Sequence, residues 1–276
     1  MSQETSTKAY LERIGYKGSL TPSVNVLREL HRRHLLSVPF ENLDIEMGRP
    51  IVLSHAAFYD KIIGRRRGGF CYELNGSFAS LLKALGFRVT MLSARTVEEG
   101  GSLTPDFDHM ALLIRLEERW LVDVGFGDLF VEPKRLDIDG PQMDDGKAFR
   151  IAPIEGGRLL SRWDEKKNSW KPEYQFTLRP RKLGDFAAMS TYQQTAPDSY
   201  FRRGGFCSLL TPKGRVTVTE KKLIVTGAGR RSERPVRDTK EFRGLLRRRF
   251  GIDLDRTDLI SRKERSKGRT SAIRSS

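Results

Sequence analysis

The chain has 276 residues, 38% of them hydrophobic and 31% charged, with a formal net charge of +15. That length allows one large domain or a few small ones, with room for a sizeable core. No run approaches the roughly 20 apolar residues of a membrane span, and the opening MSQETSTKAYLER has no apolar core like that of a secretory signal. No membrane partner and a cytoplasmic location are therefore expected. Two cysteines, Cys71 and Cys207, cannot form a disulfide framework and fit no zinc spacing, so no metal is expected either.

The first ~85 residues read as mostly helical. In TPSVNVLRELHRRHLLSVPF, Val24, Leu27, Leu30, Leu35 and Val38 fall near helical spacing behind the start signal Thr21-Pro22, and Pro39 marks a break. A second, short helix runs from Ser54 to near Gly64. After Cys71, the residues Leu74, Phe78, Leu81, Leu82 and Leu85 line one helical face, and Gly86 serves as the C-terminal cap. Beyond Gly86 come short β-rich runs: FRVTMLSART, HMALLIRL, RWLVDVGFG, FRIAPIEGGRLLSRW and SWKPEYQFTL. Such a series predicts an antiparallel sheet or small barrel. GDFAAMSTYQQTAPDS interrupts it as a helix; CSLLTP, GRVTVTE and KKLIVTG add strands, and DTKEFRGLLRRRFGI closes as a helix. The reading is α+β in three parts: a helical bundle over 1–86, a β-barrel over 87–200 and an α/β unit over 201–260. Residues 261–276 form a small, polar, basic tail expected to be disordered.

The positive charge invites a nucleic-acid partner, but most of the excess lies in residues 230–276. No helix-turn-helix, zinc-finger or RNP signature accompanies it, so none is expected.

Chemistry enters at RRRGGFCYELN, residues 65–75. A helix starting at Cys71 would hold its thiol where free backbone N–H groups and the positive end of the helix dipole converge, which favours thiolate and lowers the thiol pKa. Gly68 and Gly69 would let another chain or a substrate approach the sulfur. Cys207, within FCSLL, reads as a small buried apolar residue. A thiol nucleophile needs an imidazole, and the imidazole an orienting carboxylate. His31 and His34 form H-x-x-H without a third ligand and read as solvated or structural; His55 reads as exposed. His109 stands at the rim of the strand MALLIRL, aimed at a cleft. Its candidate carboxylates are Asp106, Asp108 and Asp123, the last interrupting the apolar run WLVDVGFG. A hairpin with Glu117, Glu118 and Arg119 as its loop places Asp123 opposite Leu113. That puts it on the same face as His109 but about 13 Å away, so contact needs a bulge or a chain that curls back.

HRRHLLSVPFENLDI, RGGFCYELN, DHMALLI, WLVDVGFG and GFCSLLTPKGRVTVTEKKLIV together resemble the arylamine N-acetyltransferases, from about residue 8 to 255. The resemblance implies a helical bundle, β-barrel and α/β lid around a cysteine-protease-like core, and a triad of Cys71, His109 and Asp123. It implies acetyl-CoA as acetyl donor, with an aromatic amine, hydrazine or hydroxylamine as acceptor. It pairs Arg67 with Glu41 beneath the nucleophile and places Phe70, Phe126 and Phe201 at the acceptor. The loop EEGGSLTP offers Gly101, Ser102 and Thr104 to CoA. A transglutaminase-like or papain-like thiol hydrolase shares the Cys-His-Asp order and is the alternative; oligomeric state is left open.

Overall fold

A computed structural model describes residues 3–227 and 229–254, so the tail expected at 261–276 lies outside the described residues. The helices are α1 (Gln3–Arg13), α2 (Val24–Ser37), α3 (Leu43–Met47), α4 (His55–Tyr59), α5 (Cys71–Ala84), α6 (Ala187–Thr195) and α7 (Thr239–Phe250). The strand β1 (Phe40–Glu41) lies between α2 and α3. After α5 follow β2 (Arg88–Thr96), β3 (His109–Arg115), β4 (Arg119–Val122), β5 (Lys134–Arg135), β6 (Gln142–Asp144), β7 (Lys147–Ile154), β8 (Gly157–Asp164) and β9 (Ser169–Phe176). Past α6 come β10 (Phe206–Thr211), β11 (Gly214–Thr219), β12 (Lys222–Gly227) and β13 (Arg230–Pro235). The class is α+β.

Local chemistry sets several boundaries. The helix α2 begins two residues later than Thr21-Pro22 suggests, because the Ser23 hydroxyl caps it by accepting from the Val26 N–H at 3.3 Å. A π-helical turn, Asp60–Gly64, prolongs α4. The basic run beginning at Arg230 is an exposed edge strand, β13, whose charges are paired locally: Glu233 with Lys222 and Arg231, Glu241 with Arg234 and Arg237. A charged edge of this kind resists pairing with another chain.

Eight strands form one antiparallel sheet in the order β5-β4-β3-β2-β9-β8-β7-β6. Its two edges meet through a side chain: Gln142 of β6 accepts from the Arg135 N–H of β5 at 2.8 Å and donates to the Arg135 carbonyl at 2.9 Å. The sheet is thus a nearly closed barrel. Period-two alternation along β3 divides the core. Met110, Leu112 and Ile114 face α1, α2 and α5, packing with Leu27, Leu30, Leu74 and Phe78. Ala111 and Leu113 face the barrel interior with Leu121, Phe149 and Tyr174. A second sheet, β1-β10-β11-β12-β13, packs against α7 through Cys207, Val218, Phe242 and Leu246. Its first strand comes from the N-terminal part of the chain and pairs Glu41 with Cys207.

The β3–β4 hairpin differs from expectation by two residues. Arg115 pairs with Arg119, leaving Leu116, Glu117 and Glu118 as the loop and Leu112 opposite Val122. A two-residue slip keeps each side chain on its face and brings Asp123 nearer to His109.

Candidate active site

Cys71 is the first residue of α5, and the buried Glu73 one turn in accepts from the Phe70 N–H at 3.1 Å. Glu73 belongs to a buried network. Lys61 reaches Asp44 at 2.7 Å and Glu73 at 2.9 Å, while Arg67 reaches Glu41 at 2.8 Å and Asp44 at 3.3 Å. The expected Arg67–Glu41 pair is present, as part of a five-membered cluster with three carboxylates and two cations. Burial and the neighbouring Glu41 and Asp44 push Glu73 up to about 7, against the pull of Lys61.

The paired glycines serve the chain's own packing. A Cβ at Gly68 would lie 1.9 Å from the Pro39 carbonyl oxygen, and one at Gly69 would lie 2.7 Å from Glu73. The close approach to Cys71 is made elsewhere: a Cβ at Gly125 would lie 2.9 Å from the Cys71 Cα and 2.7 Å from the Asn75 amide.

His109 starts β3 and Asp123 follows the end of β4; both are buried, and Nε2 of His109 lies 2.7 Å from Oδ2 of Asp123. The other Asp123 oxygen accepts from Asn75 Nδ2 and from the Gly125 N–H, each at 2.9 Å. These partners and His109 hold the Asp123 carboxyl below the usual range despite complete burial. Nε2 is thereby committed to Asp123, leaving Nδ1 for the cavity that His109 and Cys71 both line. Phe126 stands perpendicular to the imidazole at 5.3 Å.

Asn75 was not legible as a site residue, although a polar group four residues after Cys71 on a buried helix face is its signal. It also donates to the Met110 carbonyl at 2.6 Å and accepts from the Val124 N–H at 2.9 Å, so it fastens α5 to both strands. Of the two readings open for His31 and His34, the structural one holds, since both are fully buried. Nδ1 of His31 lies 2.7 Å from the Val131 carbonyl, and Nε2 lies 3.1 Å from the Asp123 carbonyl and 3.4 Å from its N–H, so the ring ties both segments to α2. His55 is exposed, as expected.

The thiol differs from expectation. Burial pushes Cys71 well above its ordinary range, and the charges of Asp108 and Asp123 add to this, while the Met110 and Tyr72 N–H groups work the other way. At this site desolvation outweighs the N–H groups that favour thiolate.

The cavity has a volume of about 900 Å³. Phe126, Phe201 and Thr104 line it, together with Arg203, Lys221 and Arg231 from the C-terminal segment. Phe70 stands behind the wall, fully buried with its ring 5.6 Å from Phe201. Gly101 and Ser102 sit on an exposed turn, where the Ser102 hydroxyl donates to Glu98 at 2.8 Å. Among the described residues no helix is long and apolar enough to cross a membrane.

The family model described as N-acetyltransferase matches residues 23–260. The chain belongs to the arylamine N-acetyltransferase family. It is 33% identical to the pineal gland isozyme of arylamine N-acetyltransferase from Gallus gallus, over 90% of this chain and 94% of that one. Identity to arylamine N-acetyltransferase from Mycolicibacterium smegmatis is also 33%, covering 89% and 91% of the two chains. Among solved members of the family, the Mycobacterium marinum arylamine N-acetyltransferase in complex with CoA has a TM-score of 0.85 and 30% identity, covering 92% of this chain and 96% of that one. The enzyme is thus an acyltransferase, and its barrel and helices are those of this family.

Proposed function

We propose that the enzyme transfers an acetyl group from acetyl-CoA to arylamines, arylhydrazines and arylhydroxylamines by a ping-pong mechanism through acetyl-Cys71. One observation carries the reading: a helix-terminal thiol shares a cavity with an imidazole whose other nitrogen is held at 2.7 Å by a buried carboxylate. Membership in the family and the CoA-bound relative support the donor; the aromatic wall of Phe126 and Phe201 suits the acceptor.

In the first half, the Cys71 proton passes to Nδ1 of His109. The thiolate attacks the thioester and CoA leaves with that proton. Asp123 fixes the imidazole tautomer and stabilises the cation. In the second half, the amine attacks acetyl-Cys71 and gives its proton to His109. Arg203 and Lys221 supply positive charge for the CoA phosphates. In this reading the thiol sits between helical and barrel layers as in cysteine proteases.

Initial-rate plots against both substrates should give parallel lines. Without acceptor, one equivalent of CoA should appear in a burst, with about 42 Da added to the intact protein. His109→Gln and Asp123→Asn should suppress the burst. Cys71→Ala should abolish it, while Cys207→Ala, which removes one buried sulfur from β10, should keep most activity. Intersecting lines without a burst would instead mean direct transfer in a ternary complex. A thiol hydrolase would release CoA with no acceptor dependence and no lasting acetyl mass.

A further inference from the structure

The triad leaves several ionisable residues of the cavity unused, and one of them adjoins it in the chain. Asp108 precedes His109 and lines the same space as Cys71. Its peptide carbonyl lies 3.9 Å from the Cys71 Sγ. Its carboxylate is held on both oxygens by neutral groups: Gln193 Nε2 of α6 donates at 2.7 Å and the Thr96 hydroxyl of β2 at 2.8 Å. The nearby Arg95 pairs with Asp106 instead, at 3.8 Å. A carboxylate without a cation among its hydrogen-bond partners therefore belongs to a residue that lines the cavity beside Cys71 and His109.

That charge does not help the first half-reaction, since it opposes formation of the Cys71 thiolate. Nor does the turn require it. An asparagine could accept from Gln193 and donate to Thr96 just as well. The second half-reaction is different, because an attacking amine nitrogen becomes positive as it bonds to carbon. A carboxylate beside it would stabilise that charge where it develops.

We propose that Asp108 is an acceptor-binding catalytic residue, taking a hydrogen bond from an N–H of the attacking amine or hydrazine opposite acetyl-Cys71. This rests on the ping-pong reading above. The amine lone pair forms the N–C bond and the carbonyl electrons move to oxygen. One N–H proton passes to Nδ1 of His109 while a second N–H remains on Asp108. The oxyanion then collapses and expels the Cys71 thiolate, which recovers the proton from His109; the products are amide and free thiol. Acceptors with two N–H groups on or beside the attacking nitrogen, primary arylamines and hydrazines, are the class this wall suits.

The experiment separates the halves in stopped flow: the CoA burst without acceptor, then deacetylation of the acetyl-enzyme by aniline or phenylhydrazine. Asp108→Asn should leave the burst no slower and lower the deacetylation rate constant by at least about tenfold. The exposed Asp106→Asn should change neither. An unaltered deacetylation rate overturns the proposal, and so does an equal fall in both halves, which would make Asp108 a prop for His109. Asp108→Ser must show the same split if the asparagine variant does not fold; failure of both to fold makes the residue structural and also overturns the proposal. Absence of a burst in the wild-type protein would instead sink the ping-pong reading itself.

Discussion

Glu73 shows how one side chain can serve a helix end and a charge network together. It caps the turn that presents Cys71 and also receives Lys61, in a cluster with one more carboxylate than cations. Its carboxyl, held near 7 in the folded protein against about 4.5 unfolded, binds its proton more tightly when folded. The associated stabilisation is present below about 4.5 and is lost as pH rises through 7. Glu73→Gln should therefore gain on the wild type between pH 5 and pH 8, read as the difference in urea midpoints. A difference that stayed constant over this range would show that Glu73 carries no such proton. Breaking the network from its cationic side is a larger change: Arg67→Ala leaves buried carboxylates unpaired, a loss of roughly 3–5 kcal/mol.

Between elements, the site is a junction of α5 with the ends of β3 and β4. Asn75 and Gly125 make that junction, one by hydrogen bonds to Asp123, Met110 and Val124, the other by having no side chain. Gly125→Ala would drive a methyl into the Cys71 backbone. The expected result is a destabilisation of about 1–3 kcal/mol with a much larger proportional loss of the CoA burst, because the thiol and imidazole move apart. Thermal unfolding alongside burst kinetics checks both; a stable, fully active variant would mean that α5 and the loop after β4 can separate freely. The glycines singled out from the motif, Gly68 and Gly69, act one layer lower, at Pro39 and Glu73.

For the molecule as a whole, pH acts through buried groups of opposite sign. His31 is held neutral by burial, with its pKa lowered to about 4, and His34 is lowered by the same cause. The stabilisation from a neutral buried His31 is complete above about 6.5 and is lost as pH falls through 4, roughly 3 kcal/mol in all. The stability gap between wild type and His31→Gln should accordingly narrow between pH 7 and pH 4.5. A gap that widened on acidification would show that the ring is charged in the fold. Because Glu73 pulls the other way, the wild-type profile alone cannot separate them, and the paired variants are needed.

The α5 periodicity, the break at Pro39, the alternating strands and the thiol's place at a helix start were legible in the chain itself, since each depends on neighbours within about four residues. The motifs that resemble the family named the triad and the Arg67–Glu41 pair. The chain left open the β3–β4 register, where a slip of two residues preserves every face and so leaves no mark in the pattern. It gave no sign that Asn75 joins two strands, or that Lys61 and Asp44 complete the ion cluster. The thiol is the sharpest case. A helix terminus favours thiolate wherever it is exposed, but the packing of α5 against β3 and the approach of Asp108 and Asp123 reverse that preference. Desolvation and charge add up over everything a group touches, and which groups touch is settled when distant segments close over one another.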